Sequence, residues 1–178
     1  EEWRRIEEDW LGAFGQLAID LDNDTNNSSL VLAFEFEKTG EVLLFVADAQ
    51  VGNWQSWEKV EFQIPGRSKP LPARDLVSRT VFYKVGHHCS HNATLKTGGL
   101  EQMASDSLIA FIPLDEQTAK SKKTKYTPEG WDMPARPLFT ALNEKAANRV
   151  VISDRPLPST DFQGRVFSTD LFVDYFLI

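Results

Sequence analysis

Val42-Leu-Leu-Phe-Val46 is apolar at every position. A run this long without polar alternation fits a strand covered on both faces, so layers of structure are expected above and below it. Further runs rich in β-branched and aromatic residues follow it at intervals: Val60–Ile64, Thr80–Val85, Ser107–Ile112 and Val150–Ile152. Between them lie stretches with helical spacing. The alternation predicts a layered α/β or α+β domain.

Leu30–Phe36 and Val42–Val46 flank Lys38-Thr-Gly-Glu41, which reads as a hairpin. Trp54 and Trp57, three residues apart in Asn53–Lys59, suit a short helix that turns both rings into a core. Pro72 suits the first turn of a helix ending near Arg79. Leu95, Leu100 and Met103 predict a further helix, interrupted by Gly98-Gly99, and Pro134–Asn148 predicts another. Asp170–Ile178 reads as a strongly apolar final strand. At the front, Trp3, Ile6, Trp10, Phe14 and Leu17 recur at steps of three and four, as in an amphipathic helix over residues 1–20. Asp22–Ser29 has the composition of a turn; without the glycine and final glutamate of a calcium loop it is not read as one.

At 178 residues the chain is one domain or part of one. The formal charge of −7 disfavours nucleic acid, and no run is apolar enough to span a membrane. A single cysteine allows no internal disulfide and fits a reducing compartment, so a cytoplasmic protein is expected. Lys120, Lys122, Lys123 and Lys125 form a basic cluster of the kind usually found on solvated loops. The chain opens on Glu1 and closes on Ile178 within an apolar run, which suggests a piece of a longer protein.

All three histidines (His87, His88, His91) and the only cysteine (Cys89) lie just past the Thr80–Val85 strand, after Gly86. A strand that stops and delivers imidazoles can position a site rigidly. Asp48 likewise follows a strand directly, where it could cap a helix or ligate a metal.

Three blocks carry a resemblance: Asn26-Asn-Ser-Ser-Leu-Val-Leu32, Val42-Leu-Leu-Phe-Val-Ala-Asp-Ala49, and Phe82-Tyr-Lys-Val-Gly-His-His-Cys-Ser-His-Asn92. In order and spacing they resemble the second half of a metallo-β-lactamase-fold hydrolase, nearest to the ComEC-like subgroup. Over residues 20–115 that pattern runs Asn-x-x-Ser-Leu-Val-Leu, a strand ending Gly-Asp-Ala, and a strand ending His-His-Gly-Ser. Trp131-Asp-Met-Pro134 and the helix after it also resemble a group of bacterial members.

The resemblance implies the second half of an αββα sandwich, with residues 1–178 as a single domain or half-domain. It implies a hydrolase acting on an ester or phosphodiester through a metal-bound hydroxide, with zinc, two ions in the complete protein, as cofactor. Asp48 matches the aspartate that bridges the two ions and His88 the late histidine ligand. His87 becomes a catalytic residue that handles protons beside them. Asn26 or Asn27 stands where many relatives place another histidine. The chain departs from the pattern in three ways: Ala47 and Cys89 replace glycines, and the His-x-His-x-Asp-His motif that supplies most ligands is absent. The expected partner is therefore a missing N-terminal half of the same protein, and the chain alone is expected to be inactive. The alternative is a degenerate, non-catalytic module that binds a protein partner.

Overall fold

The computed structural model describes residues 26, 28–125 and 127–178. At its centre is a five-stranded mixed sheet of β1 (Leu32–Glu35), β2 (Val42–Phe45), β5 (Thr80–Lys84), β6 (Ile109–Ile112) and β7 (Val150–Ile152), in the order β1-β2-β5-β6-β7. β1 and β2 pair antiparallel, with Leu32 opposite Phe45, as the Lys38–Glu41 turn requires. The other three pairings are parallel, and the long connections between those strands carry the helices. Among the described residues there are also two small ribbons: β3 (Glu61–Phe62) with β4 (Leu71–Pro72), and β8 (Val166–Ser168) with β9 (Val173–Tyr175).

Because successive strand residues face opposite sides, the sheet has two distinct faces. Leu44, Tyr83, Ala110 and Ile152 lie on one of them, in a single core with residues of α1 (Val51–Trp57), α2 (Ala73–Ser78), α3 (Glu116–Ser121) and α4 (Arg136–Lys145). Trp54 is 1% exposed here; truncating a ring buried this fully costs about 3–5 kcal/mol. Its ring meets Trp57 at 4.6 Å and the edge of Tyr83 at 6.0 Å, so both indoles of α1 serve packing as the sequence predicts.

The opposite face carries a row of rings across four strands: Phe34 to Phe45 at 5.8 Å, Phe45 to Phe82 at 5.4 Å, and Phe82 to Phe111 at 5.0 Å. At the β6–β7 end the β8–β9 hairpin packs on it, with Tyr175 against Phe82 at 4.8 Å. Arg165 fastens the hairpin by an ion pair to Glu41 at 2.7 Å and a hydrogen bond to the Tyr175 hydroxyl at 3.1 Å. At the β1 end Leu32 and Phe34 stay exposed.

The fold class is thus mixed α/β with few helices, of α+β character. Several elements differ from expectation. The helix expected around Leu95–Met103 is only a 3-10 turn at Leu100–Gln102: Gly98 sits at φ +88°, and a Cβ on Gly99 would fall 2.2 Å from the Leu95 carbonyl oxygen. The final strand shrinks to Val173–Tyr175 in an exposed hairpin, since its apolar residues have no layer beyond them. Val60–Ile64 reduces to the exposed pair Glu61–Phe62. The expected helix over residues 1–20 lies outside the described residues, as do Asn27 and Asp22 to Thr25. No described helix is long and apolar enough to cross a membrane.

Candidate functional site

β2 and β5 run parallel and adjacent, so their C-terminal ends deliver Asp48 and the histidines to the same edge of the sheet. The two ends are tied directly: the His87 N–H donates to the Ala47 carbonyl at 3.1 Å. Gly86 makes this approach possible. A Cβ there would stand 2.6 Å from the Ala47 oxygen and 2.8 Å from Val46 Cγ2. The first block joins from the other side, where Ser29 Oγ accepts from the Asp48 N–H at 3.3 Å, and the Ser29 N–H donates to the carbonyl of buried Asn26 at 3.2 Å. The three sequence blocks therefore meet at one place.

Asp48 does not cap α1. That position belongs to Gln50, whose N–H donates to Asn53 Oδ1 at 2.9 Å. The Asp48 carboxylate is exposed and makes no hydrogen bond or ion pair among the described residues.

His87, His88 and Cys89 form one turn of left-handed backbone, with φ of +43°, +51° and +61°. For non-glycine residues each such conformation costs about 1–2 kcal/mol, and surrounding contacts must hold it. The Cys89 carbonyl accepts from the Ala135 N–H at 2.8 Å, the Asn92 carbonyl from Val51 at 3.0 Å, and the Ala93 carbonyl from the Trp54 indole at 3.1 Å. The Tyr83 hydroxyl meets Thr94 Oγ1 at 2.7 Å below the loop.

These contacts define how the imidazoles are protonated. His88 Nδ1 lies 2.6 Å from the Pro113 carbonyl oxygen, which can only accept, so Nδ1 carries a proton and, in the neutral ring, Nε2 is the atom with the lone pair. Ser90 donates its hydroxyl proton to Asn92 Oδ1 at 2.9 Å, so it accepts from His87 Nδ1 at 3.0 Å. His87 therefore presents the same tautomer. An imidazole whose Nδ1–H is held by a carbonyl or hydroxyl is oriented as metal-binding histidines are. His88 is exposed, His87 half-buried and His91 exposed away from these bonds.

Cys89 has a different setting. Its side chain is fully buried in the helix-side core, and burial pushes the thiol up to about 12. A neutral, enclosed thiol is neither a nucleophile nor a ready ligand at neutral pH. Tyr83 is likewise raised, chiefly by burial. Among the lysines of the basic cluster, Lys120 pairs with Glu116 at 2.6 Å on α3.

Beyond Pro113 a cleft of about 760 Å³ opens between the ends of β5, β6 and β7 and the turn joining β8 to β9. Phe82, Lys84, Phe111 and Pro113 line one wall, Thr169 and Phe172 the other. Sequence reading missed this cleft. Its one legible signal was Lys84, the single charge in the β5 strand.

No family model, curated protein or solved structure matches this chain. Nor, among the described residues, do three or more His, Cys, Asp or Glu side chains gather as a metal site. The donors present suit zinc chemically: an open carboxylate and two imidazoles with available Nε2 atoms. They fall short of a closed four-ligand set.

Proposed function

We propose that this chain supplies one wall of a metal-dependent hydrolase site acting on an ester or phosphodiester, with Asp48 and His88 as zinc ligands and His87 as a proton-handling neighbour. The observation that carries the reading is the His88 Nδ1–H bond to Pro113, which in the neutral ring leaves Nε2 as the lone pair, at the sheet edge where the ends of β2 and β5 are tied together. Zinc of this kind, when bound, polarises the substrate oxygen and acidifies a water. His87, with Nδ1 committed to Ser90, is free to take a proton at Nε2. The remaining ligands come from an N-terminal half, which would add the second sheet of an αββα sandwich. Helices on one sheet face, and Leu32 and Phe34 exposed at the β1 end of the other, suit that arrangement.

The test is zinc content, by plasma mass spectrometry, of the chain expressed with its upstream coding sequence. Wild type should retain zinc that an Asp48→Ala/His88→Ala double variant loses; equal retention overturns the assignment. The isolated chain should bind zinc weakly, and tight stoichiometric binding to it would point instead to a local site.

One observation favours a second reading, a non-catalytic module that binds a protein partner. Leu32 and Phe34 are exposed on an apolar sheet face. An upstream sequence without His-x-His-x-Asp-His would decide for it.

A further inference from the structure

We infer that Asn92 is a positioning residue for His87: acting through the buried hydroxyl of Ser90, it selects which ring nitrogen of His87 handles protons. The inference deepens the hydrolase reading and rests on it for the use made of the proton; the selection itself rests on geometry alone. Ser90 lies between the two side chains, with its Oγ 3.0 Å from His87 Nδ1 and 2.9 Å from Asn92 Oδ1.

A hydroxyl by itself does not discriminate. It accepts from an Nδ1–H or donates to an Nδ1 lone pair, so a serine alone supports either tautomer of the neutral ring. The Asn92 amide oxygen breaks that symmetry. It only accepts, so the Ser90 proton points to it and the hydroxyl lone pair is left for His87. Ser90 is 4% exposed, which keeps water from competing for the hydroxyl. Backbone bonds fix the spacing: the Ser90 N–H donates to the His87 carbonyl at 2.9 Å, and the Ser90 carbonyl accepts from Ala93 at 3.1 Å. The Asn92 carbonyl accepts from Val51, the first residue of α1, at 3.0 Å, so a second element holds the selecting residue. The selection has a chemical consequence. A proton taken at Nε2 gives a ring with two N–H groups, while the Ser90 proton stays committed to an amide oxygen that does not pass it on. The proton therefore leaves by the nitrogen it entered, and His87 acts as base and then as acid at one point.

The test reads the tautomer of each histidine by long-range ¹H–¹⁵N correlation, in the full chain without metal. It is run at about pH 8, above the ordinary imidazole value of about 6.5. Wild-type His87 should hold the Nδ1–H form by about tenfold over the other, against the Nε2–H form that free neutral imidazole favours. Asn92→Leu and Ser90→Ala should each remove most of that excess. Asn92→Asp, which keeps an acceptor at this position, should preserve it. His88, held by Pro113, should stay Nδ1-protonated in all of them and so reports that the loop is intact. A wild-type His87 protonated at Nε2, an Asn92→Leu chain with His87 unchanged, or His87 and His88 changing together would overturn the proposal. The first of these outcomes means that Asn92 turns its amide nitrogen to Ser90, and it is read without any variant. If the zinc assignment fails while His87 keeps this tautomer, the hydrolase reading falls and the positioning stands; the converse result does the reverse.

Discussion

His88 gives its Nδ1 proton to the carbonyl of Pro113, 25 residues further along the chain, at 2.6 Å. One bond across the ends of β5 and β6 thereby sets both the ring's orientation and which nitrogen keeps a lone pair.

Asparagine tests the two halves of that role. His88→Asn keeps a donor near the Nδ1 position and tolerates the left-handed backbone at this site, φ +51°. Stability in urea should stay within about 0.5 kcal/mol of wild type. On the proposed metal reading, zinc retention by the chain expressed with its upstream coding sequence should fall about 10-fold or more.

Gly86 is the point where the two strand ends touch. Gly86→Ala places a methyl 2.6 Å from the Ala47 oxygen and 2.8 Å from Val46. The expected cost is about 1–3 kcal/mol in chemical denaturation. Crosspeaks of Ala47, Asp48 and His87 should move most in NMR spectra.

Cys89 combines burial with φ +61°. Cys89→Gly and Cys89→Ala both remove the sulfur, but only glycine relieves the backbone. The glycine variant should be the more stable of the two by about 1 kcal/mol. In the wild type, the thiol should resist a disulfide reagent until the chain unfolds.

The same thiol sets an alkaline limit. Its pKa rises from 9.0 to about 12 on folding, so above pH 9 the unfolded chain gives up a proton that the folded chain keeps. Stability is full below pH 9 and falls as pH climbs towards 12. Cys89→Ala should flatten that fall in pH-dependent denaturation, leaving the part due to Tyr83, raised in the same sense.

Arg165 and Glu41 form the least exposed ion pair among the described residues, with side chains 10% and 17% exposed. Arg165→Met leaves the Glu41 carboxylate enclosed without its partner. A loss of about 2–4 kcal/mol is expected, below the full buried-pair value because both groups keep some solvent. Hydrogen exchange should show the β8–β9 hairpin opening first.

How well the sequence could be read depended on the kind of signal. Val150–Ile152 appears as a strand with the predicted bounds, and Trp54 is buried as its spacing implied, because both follow from local periodicity. The Leu95–Met103 helix failed because apolar spacing does not register how closely the chain returns on itself at Gly98 and Gly99. The apolar tail failed for a related reason: hydrophobicity asks for cover but does not supply the layer that gives it. Pro113 could not have been foreseen as the partner of His88, since its contribution is a backbone carbonyl, which every residue carries.

Local sequence sufficed for the five strands of the central sheet and for the two strand ends bearing Asp48 and His87–Cys89. These are local: apolar runs form strands, and Gly86 with the residues after it ends one. The tertiary structure alone decided that β2 and β5 lie side by side in parallel, that Gln50 and not Asp48 caps α1, and that Cys89 turns into the core while His88 turns out. Those outcomes depend on which surfaces meet, and contacts between residues distant in the chain leave no period in the sequence. The cleft beyond Pro113 is of the same kind, with walls drawn from three strand ends and a turn.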